Sequence, residues 1–126
     1  MNGQQTADQP PEIERRQSAD CCSVSHSHSL MDSEVAADVE VLATLGNDTR
    51  YEALRLIAEA DDDLCVCEIE PALGVSQGAV SQALSRLFSA GLVERRKEGR
   101  WRYYTATPRA TRLLSVLDDT REDNHD

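Results

Sequence analysis

The sequence predicts a mainly α-helical domain carrying one small β-hairpin, in the order helix, turn, helix, hairpin. Three observations predict it. Residues 76–89 open on a Ser suited to capping a helix, and Ala79, Val80, Ala83, Leu84, Leu87 and Phe88 then form one apolar stripe at helical spacing. Gly91 follows the last periodic residue, where a helix C-cap belongs; residues 92–96 and 101–105 read as two strands about a turn at 97–100. Upstream, DLCVCEIEPALGV at 63–75 reads as a shorter helix meeting the second across a tight turn. Helix, turn, helix and hairpin together make a winged helix-turn-helix.

Length and charge bound what the domain does. At 126 residues the chain is one domain plus tails. No apolar run is long enough to span a bilayer and nothing resembles a signal peptide, so a cytoplasmic protein with no membrane role is expected. The net charge of −10 argues against nucleic acid only until it is located. Residues 1–32 carry net −3 and residues 118–126 net −4, whereas residues 86–112 hold eight basic residues against two acids, net +6. The hairpin is basic within an acidic chain. Of the 13 basic residues only Lys97 is a lysine, a composition that suits concentrated salt as well as it suits a DNA binder with acidic tails.

In chain order, residues 1–32 are rich in Gln, Ser, Asp and Pro and are expected as a disordered arm. The arm includes Cys21, Cys22, His26 and His28, soft-metal ligands in type. Residues 33–45 read as a helix capped near Asp32 or Ser33, with Val35, Val39, Leu42 and Ala43 on one side. A second helix follows Asn47-Asp48, where Thr49 and Glu52 have capping-box spacing and Leu54, Ile57 and Ala58 face inward. Asp61-Asp62-Asp63 is a solvated break. The winged helix-turn-helix body ends with a helix over 109–117 carrying Leu113, Leu114, Val116 and Leu117, and 118–126 is expected as an acidic disordered tail. The first and last helices hold more apolar surface than so small a core needs, which predicts a homodimer.

The polar face of the helix over 76–89 carries Gln77, Gly78, Ser81, Gln82, Ser85, Arg86 and Ser89. A solvated face would be rich in Glu and Lys. Small and amide side chains instead suit close approach to base edges in the major groove of double-stranded DNA. Gln77, Ser81 and Gln82 are the candidate base readers. Ser76, Arg86, Arg95, Arg96 and Arg100 are candidates for phosphates or the minor groove.

Cys65 and Cys67 carry the second chemistry. Two residues apart on a regular helix point roughly 200° away from each other, so one ion is shared only where the backbone is extended or distorted. Pro71 belongs in a first turn, which places the regular helix no earlier than about Cys67 or Glu68 and leaves the pair on an extended lead-in. A nascent helix N-terminus also favours thiolates.

The stretch SQGAVSQALSRLFSAGLVERRKEGRWRYY resembles the DNA-binding half of the ArsR/SmtB family of small metal-responsive repressors. LGNDTRYEALRLI at 45–57 resembles the family's Asp-x-Thr-Arg helix start without its usual Pro, and LCVCEI at 64–69 resembles its metalloid-binding Cys-x-Cys box. The resemblance covers about residues 33–117 and implies a non-enzymatic homodimeric repressor built on its first and last helices. Such a repressor needs no cofactor to bind operator DNA, and leaves it when As(III) or Sb(III) occupies Cys65 and Cys67. Cd(II), Pb(II) and Zn(II) are alternative inducers. The chain departs from the family where arsenic sensors place a third Cys: that position is Glu70. Either the two sulfurs of Cys65 and Cys67 suffice, or, as the resemblance to cadmium- and lead-sensing relatives implies, a third comes from Cys21 or Cys22. The last helix lacks the His and paired acids of the zinc-sensing relatives' second site, and Ala83 stands where a His is common. Other readings stay open: the same fold with Cys65 and Cys67 as a thiol redox switch, a thiol-disulfide enzyme, or a metal-buffering adaptor without a DNA role.

Overall fold

A computed structural model describes residues 25–123. Residues 25–31 precede the folded unit, and within them the His28 Nδ1 accepts a hydrogen bond from the Leu30 N–H at 3.1 Å. The unit itself runs α1 (Asp32–Leu45), α2 (Asp48–Glu59), β1 (Leu64–Cys65), α3 (Val66–Leu73), α4 (Gln77–Ser89), β2 (Val93–Glu98), β3 (Trp101–Ala106) and α5 (Pro108–Asp123). The expected mainly α fold with a hairpin wing is present. No helix among the described residues is long and apolar enough to cross a membrane.

The hairpin turns on Gly99-Arg100 with Glu98 opposite Trp101, so Lys97 and Glu98 are strand residues rather than the turn expected of them. A third strand, β1, lies against β3 with Leu64 opposite Tyr104 and Cys65 opposite Tyr103, giving an antiparallel sheet of order β1-β3-β2. The sheet thereby fastens the cysteine segment to the wing.

Local chemistry sets the helix ends. The Asn47 side chain accepts from the Arg50 N–H at 3.0 Å and caps α2, two residues ahead of the Thr49 expected to open a capping box with Glu52. Ser76 caps α4 as expected, its hydroxyl accepting from the Ala79 N–H at 3.1 Å. Gly74 closes α3 at φ 67°, a left-handed geometry that a Cβ disfavours, and so makes the tight turn between the two helices. Thr107 opens α5 by accepting from the Ala110 N–H, with Pro108 following it in the first helical position.

The core draws Leu54 and Ile57 from α2, Ile69 from α3, Val80, Leu84 and Leu87 from α4, Leu92 and Val93 from the hairpin entry, and Ala110 and Leu114 from α5. Burying each large side chain contributes about 1.5–3 kcal/mol, enough to seat α4 firmly on α2. Phe88, expected on the buried stripe, is 39% exposed at its edge. On α1 the buried residues are Val41 and Thr44, while of the side that carries Val35, Val39, Leu42 and Ala43 only Val35 is half-buried. Val41, Thr44 and Leu45 form a second stripe turned from the first, so α1 has one apolar face inward and another outward.

Two further boundaries differ. Helix α3 begins at Val66, ahead of the expected start, because Cys65 caps it; Pro71 thus sits past the first turn, where its ring nitrogen offers no N–H to the Cys67 carbonyl. Helix α5 runs to Asp123 rather than ending at 117. Asp118 is held there by Arg55 of α2 at 3.1 Å and by Arg121 at 3.0 Å, so the residues expected to open the tail continue the helix.

Candidate nucleic-acid interface and cysteine site

Helix α4 and the wing share a groove of about 390 Å³, lined by Gln77, Ser81 and Ser85 from the helix and by Arg95, Arg100 and Arg102 from the hairpin. Residues 77, 81 and 85 are four apart and so stack along one side of the helix. Amides and hydroxyls form one wall and guanidinium groups the other. Ser76, Gln77, Ser81, Gln82 and Arg86 are all exposed, as a base- or phosphate-reading role requires. Gln82 lies on the adjoining side, beside Asn47, Thr49 and Arg50 at the start of α2.

The pleat decides which wing charges join this groove. Cross-strand partners share a face, so Arg95, Lys97, Arg102 and Tyr104 lie on one side of the hairpin. Glu94, Arg96, Glu98, Trp101, Tyr103 and Thr105 lie on the other. The first face carries three cations and no acid; the second sets one cation against two acids. Arg95 is further fixed by its guanidinium, 3.9 Å from the centroid of the Phe88 ring at the end of α4.

Of the expected phosphate contacts Arg95 and Arg100 line this groove, whereas Ser76, Arg86 and Arg96 do not, and Arg96 lies on the opposite face of the hairpin. Its Nε donates to Asp63 Oδ2 at 2.6 Å, its Nη1 donates to Glu98 Oε1 at 2.9 Å, and the guanidinium lies 4.7 Å from the Tyr103 ring centroid. Asp63, expected as part of a solvated break, also accepts from the Thr105 hydroxyl at 2.9 Å. The Arg96 hydrogen bond, aided by Thr105, holds the Asp63 carboxyl below the usual carboxylate range. Arg102 was missed, although period-two alternation opposite Lys97 marks it as a groove residue.

The cysteine pair sits at the junction of β1 and α3. Cys65 is extended (φ −74°, ψ 143°) while Cys67 is already helical, and this change of backbone turns both side chains to one point. Their Cα atoms are 5.1 Å apart and the two sulfurs face each other. The Cys65 Sγ accepts from the Cys67 N–H at 3.2 Å, and the Cys65 N–H donates to Glu68 Oε1 at 2.9 Å, a capping box with sulfur in the usual hydroxyl position. Cys65 is buried and Cys67 exposed, so one sulfur is anchored and the other accessible. Among the described residues no group of three or more His, Cys, Asp or Glu side chains is placed to hold a metal ion. Cys21 and Cys22 lie outside the described residues.

The outward faces of the first and last helices are apolar. Val39 and Leu42 on α1 are 56% and 66% exposed, and Val116 and Leu117 on α5 are 57% and 42% exposed. Arg109 of α5 reaches Asp38 of α1 at 3.4 Å.

With this geometry in hand, comparison with known proteins is specific. Residues 47–95 match the model of the bacterial regulatory protein, arsR family. The chain is 62% identical over 92 residues to the putative arsenical resistance operon repressor ArsR2 of Halobacterium salinarum, covering 73% of this chain and 76% of the relative. It is 34% identical over 70 residues to the arsenical resistance operon repressor of Escherichia coli, covering 56% and 59%. Among solved structures, the homodimeric winged helix-turn-helix DNA-binding domain from Mycobacterium bovis superposes with a TM-score of 0.68 at 26% identity, covering 79% of this chain and 94% of that one. HlyU from Vibrio cholerae superposes with a TM-score of 0.62 at 31% identity, covering 71% and 97%.

Proposed function

The chain belongs to the ArsR family of regulatory proteins, and we propose that it is a homodimeric transcriptional repressor whose grip on operator DNA is released by a thiophilic metalloid at Cys65 and Cys67. The observation that carries this reading is the position of the cysteine pair. Cys65 is at once the N-cap of the first helix of the helix-turn-helix and a strand partner of the wing. An ion closing on the two sulfurs acts on the junction of both DNA-contacting parts.

In this reading Gln77 and Ser81, with Gln82 beside them, read base edges, and Ser76, Arg86, Arg95, Arg100 and Arg102 hold phosphates. The exposed faces of α1 and α5 pair with those of a second copy, which sets two recognition helices against a two-fold operator. The inducer is arsenite or antimonite, in keeping with the arsenical-resistance repressors that the chain resembles; Cd(II), Pb(II) and Zn(II) are the ions to test against them. As(III) favours three sulfur ligands. Glu70 supplies none, so either Cys65 and Cys67 suffice or a third sulfur comes from Cys21 or Cys22.

The test is retention of a DNA duplex selected by the protein from random sequence, titrated in turn with arsenite, antimonite, cadmium, lead and zinc. Release by a trivalent metalloid at low concentration supports the reading, and retention against all five ions contradicts it.

A second reading keeps the DNA binding and makes the cysteines a redox switch. The Cα separation of 5.1 Å, within the range that a disulfide spans, favours it. Hydrogen peroxide would take two electrons and two protons from the two thiols, forming the disulfide and two waters. Thiol titration before and after oxidant, with metal absent, separates the two.

A further inference from the structure

We infer that Asp63 is a positioning residue that couples the Cys65–Cys67 pair to the wing. The inference rests on the inducer-released DNA binding proposed above and assigns the route by which release occurs. Asp63 stands two residues before Cys65, and each of its carboxylate oxygens holds one wing strand. Oδ2 takes the Arg96 Nε of β2 at 2.6 Å and Oδ1 takes the Thr105 hydroxyl of β3 at 2.9 Å. Directly downstream, Leu64 and Cys65 are laddered to Tyr104 and Tyr103 of β3. Segment 63–65 is therefore fastened to the wing by side chain and then by backbone, while α3, the first helix of the helix-turn-helix, begins at the next residue, Val66.

The other end of the link is equally defined. Arg96 is clamped by Glu98 and lies on Tyr103, the residue opposite Cys65. Arg95, its neighbour in β2, points to the opposite face and lines the groove with Gln77. A displacement of Arg96 is thus a displacement of Arg95 relative to α4. The Arg96 and Asp63 side chains are 52% and 31% exposed, and a pair so solvated contributes little to folding stability. Its consequence is geometric. Coupling between sites requires an element that both sites bias, and this latch joins the cysteine junction to the cationic wall.

The experiment uses the full chain, arsenite as probe, and a duplex selected from random sequence by the wild-type protein. Asp63→Asn keeps an acceptor for Thr105 and loses the ion pair; Thr105→Val loses the hydroxyl and keeps the branched shape. Both variants are expected to bind the duplex without arsenite, and arsenite without the duplex, as wild type does. The factor by which saturating arsenite weakens DNA binding should fall about tenfold, within the usual range of coupling between sites. Adding Arg96→Gln to Asp63→Asn should reduce that factor no further, since the two residues act as one link. In the DNA-free protein, arsenite should alter hydrogen exchange of the β2 amides in wild type and leave it unaltered in Asp63→Asn. Variants that keep the wild-type factor overturn the inference, as do variants that lose DNA affinity with the factor unchanged, which would make Asp63 a simple support of the wing. A wild-type factor of one sinks the proposed function itself, and the coupling with it.

Discussion

The Arg95 guanidinium lies over the Phe88 ring, 3.9 Å from its centroid, and joins the first strand of the wing to the last turn of the recognition helix. This contact explains why a large aromatic side chain remains 39% exposed at the rim of an otherwise buried stripe. In this arrangement Phe88 seats the wing cation at the groove that Gln77 and Ser81 line. Stacking of this kind at an exposed site contributes about 0.5–1 kcal/mol, so Phe88→Ala should weaken DNA binding roughly two- to fivefold. Sequence preference should stay unchanged, as competition among selected duplexes would show.

The two faces of the hairpin make opposite predictions for neighbouring arginines. Arg100 lines the groove, and Arg100→Ala should lower the slope of log affinity against log salt by about 0.9, the share of one phosphate contact. Arg96 is committed to Asp63 and Glu98, so Arg96→Ala should leave that slope where it was. Affinities measured over a salt series separate the two.

Gln77 offers a donor and an acceptor from the first turn of α4, on the wall facing the wing. Gln77→Ala should cost about 1–3 kcal/mol at one base pair in each half-site and little elsewhere. Binding to a panel of single-base variants of the duplex measures this directly, and a uniform loss over the panel would make Gln77 a phosphate contact.

Leu42 is 66% exposed on the outward face of α1. Leu42→Asp places a charge where a second copy is expected to pack. The variant should sediment as a monomer with an unchanged fold, and lose about 10²-fold or more in affinity for a two-fold duplex once the half-sites are no longer joined.

What the sequence made legible follows the range of the interactions concerned. Ser76 and Gly91 mark the ends of the recognition helix by chemistry within three residues, and both stand where expected. The geometric objection to two cysteines sharing an ion on a regular helix correctly placed Cys65 on extended backbone. Pro71 misdirected the helix start because a thiol cap closed the first turn ahead of it. The face of α1 that enters the core was ambiguous because the helix carries two apolar stripes, and only packing against α2 chooses Val41 and Thr44. Asp63 was read as solvated because its partners, Arg96 and Thr105, are 33 and 42 residues away. The helical extension past 117 depends likewise on Arg55, 63 residues before Asp118.

The central claim is that occupancy of the cysteine pair releases DNA, and it is tested most directly on the pair itself. Fluorescence anisotropy of a labelled duplex, titrated with arsenite, should show full release from the wild-type protein. Cys65→Ser and Cys67→Ser should bind the duplex with wild-type affinity and remain bound at every arsenite concentration, because one thiolate cannot close the junction between β1 and α3. Release from either variant at the wild-type arsenite concentration would contradict the account and place the sensing chemistry elsewhere in the chain.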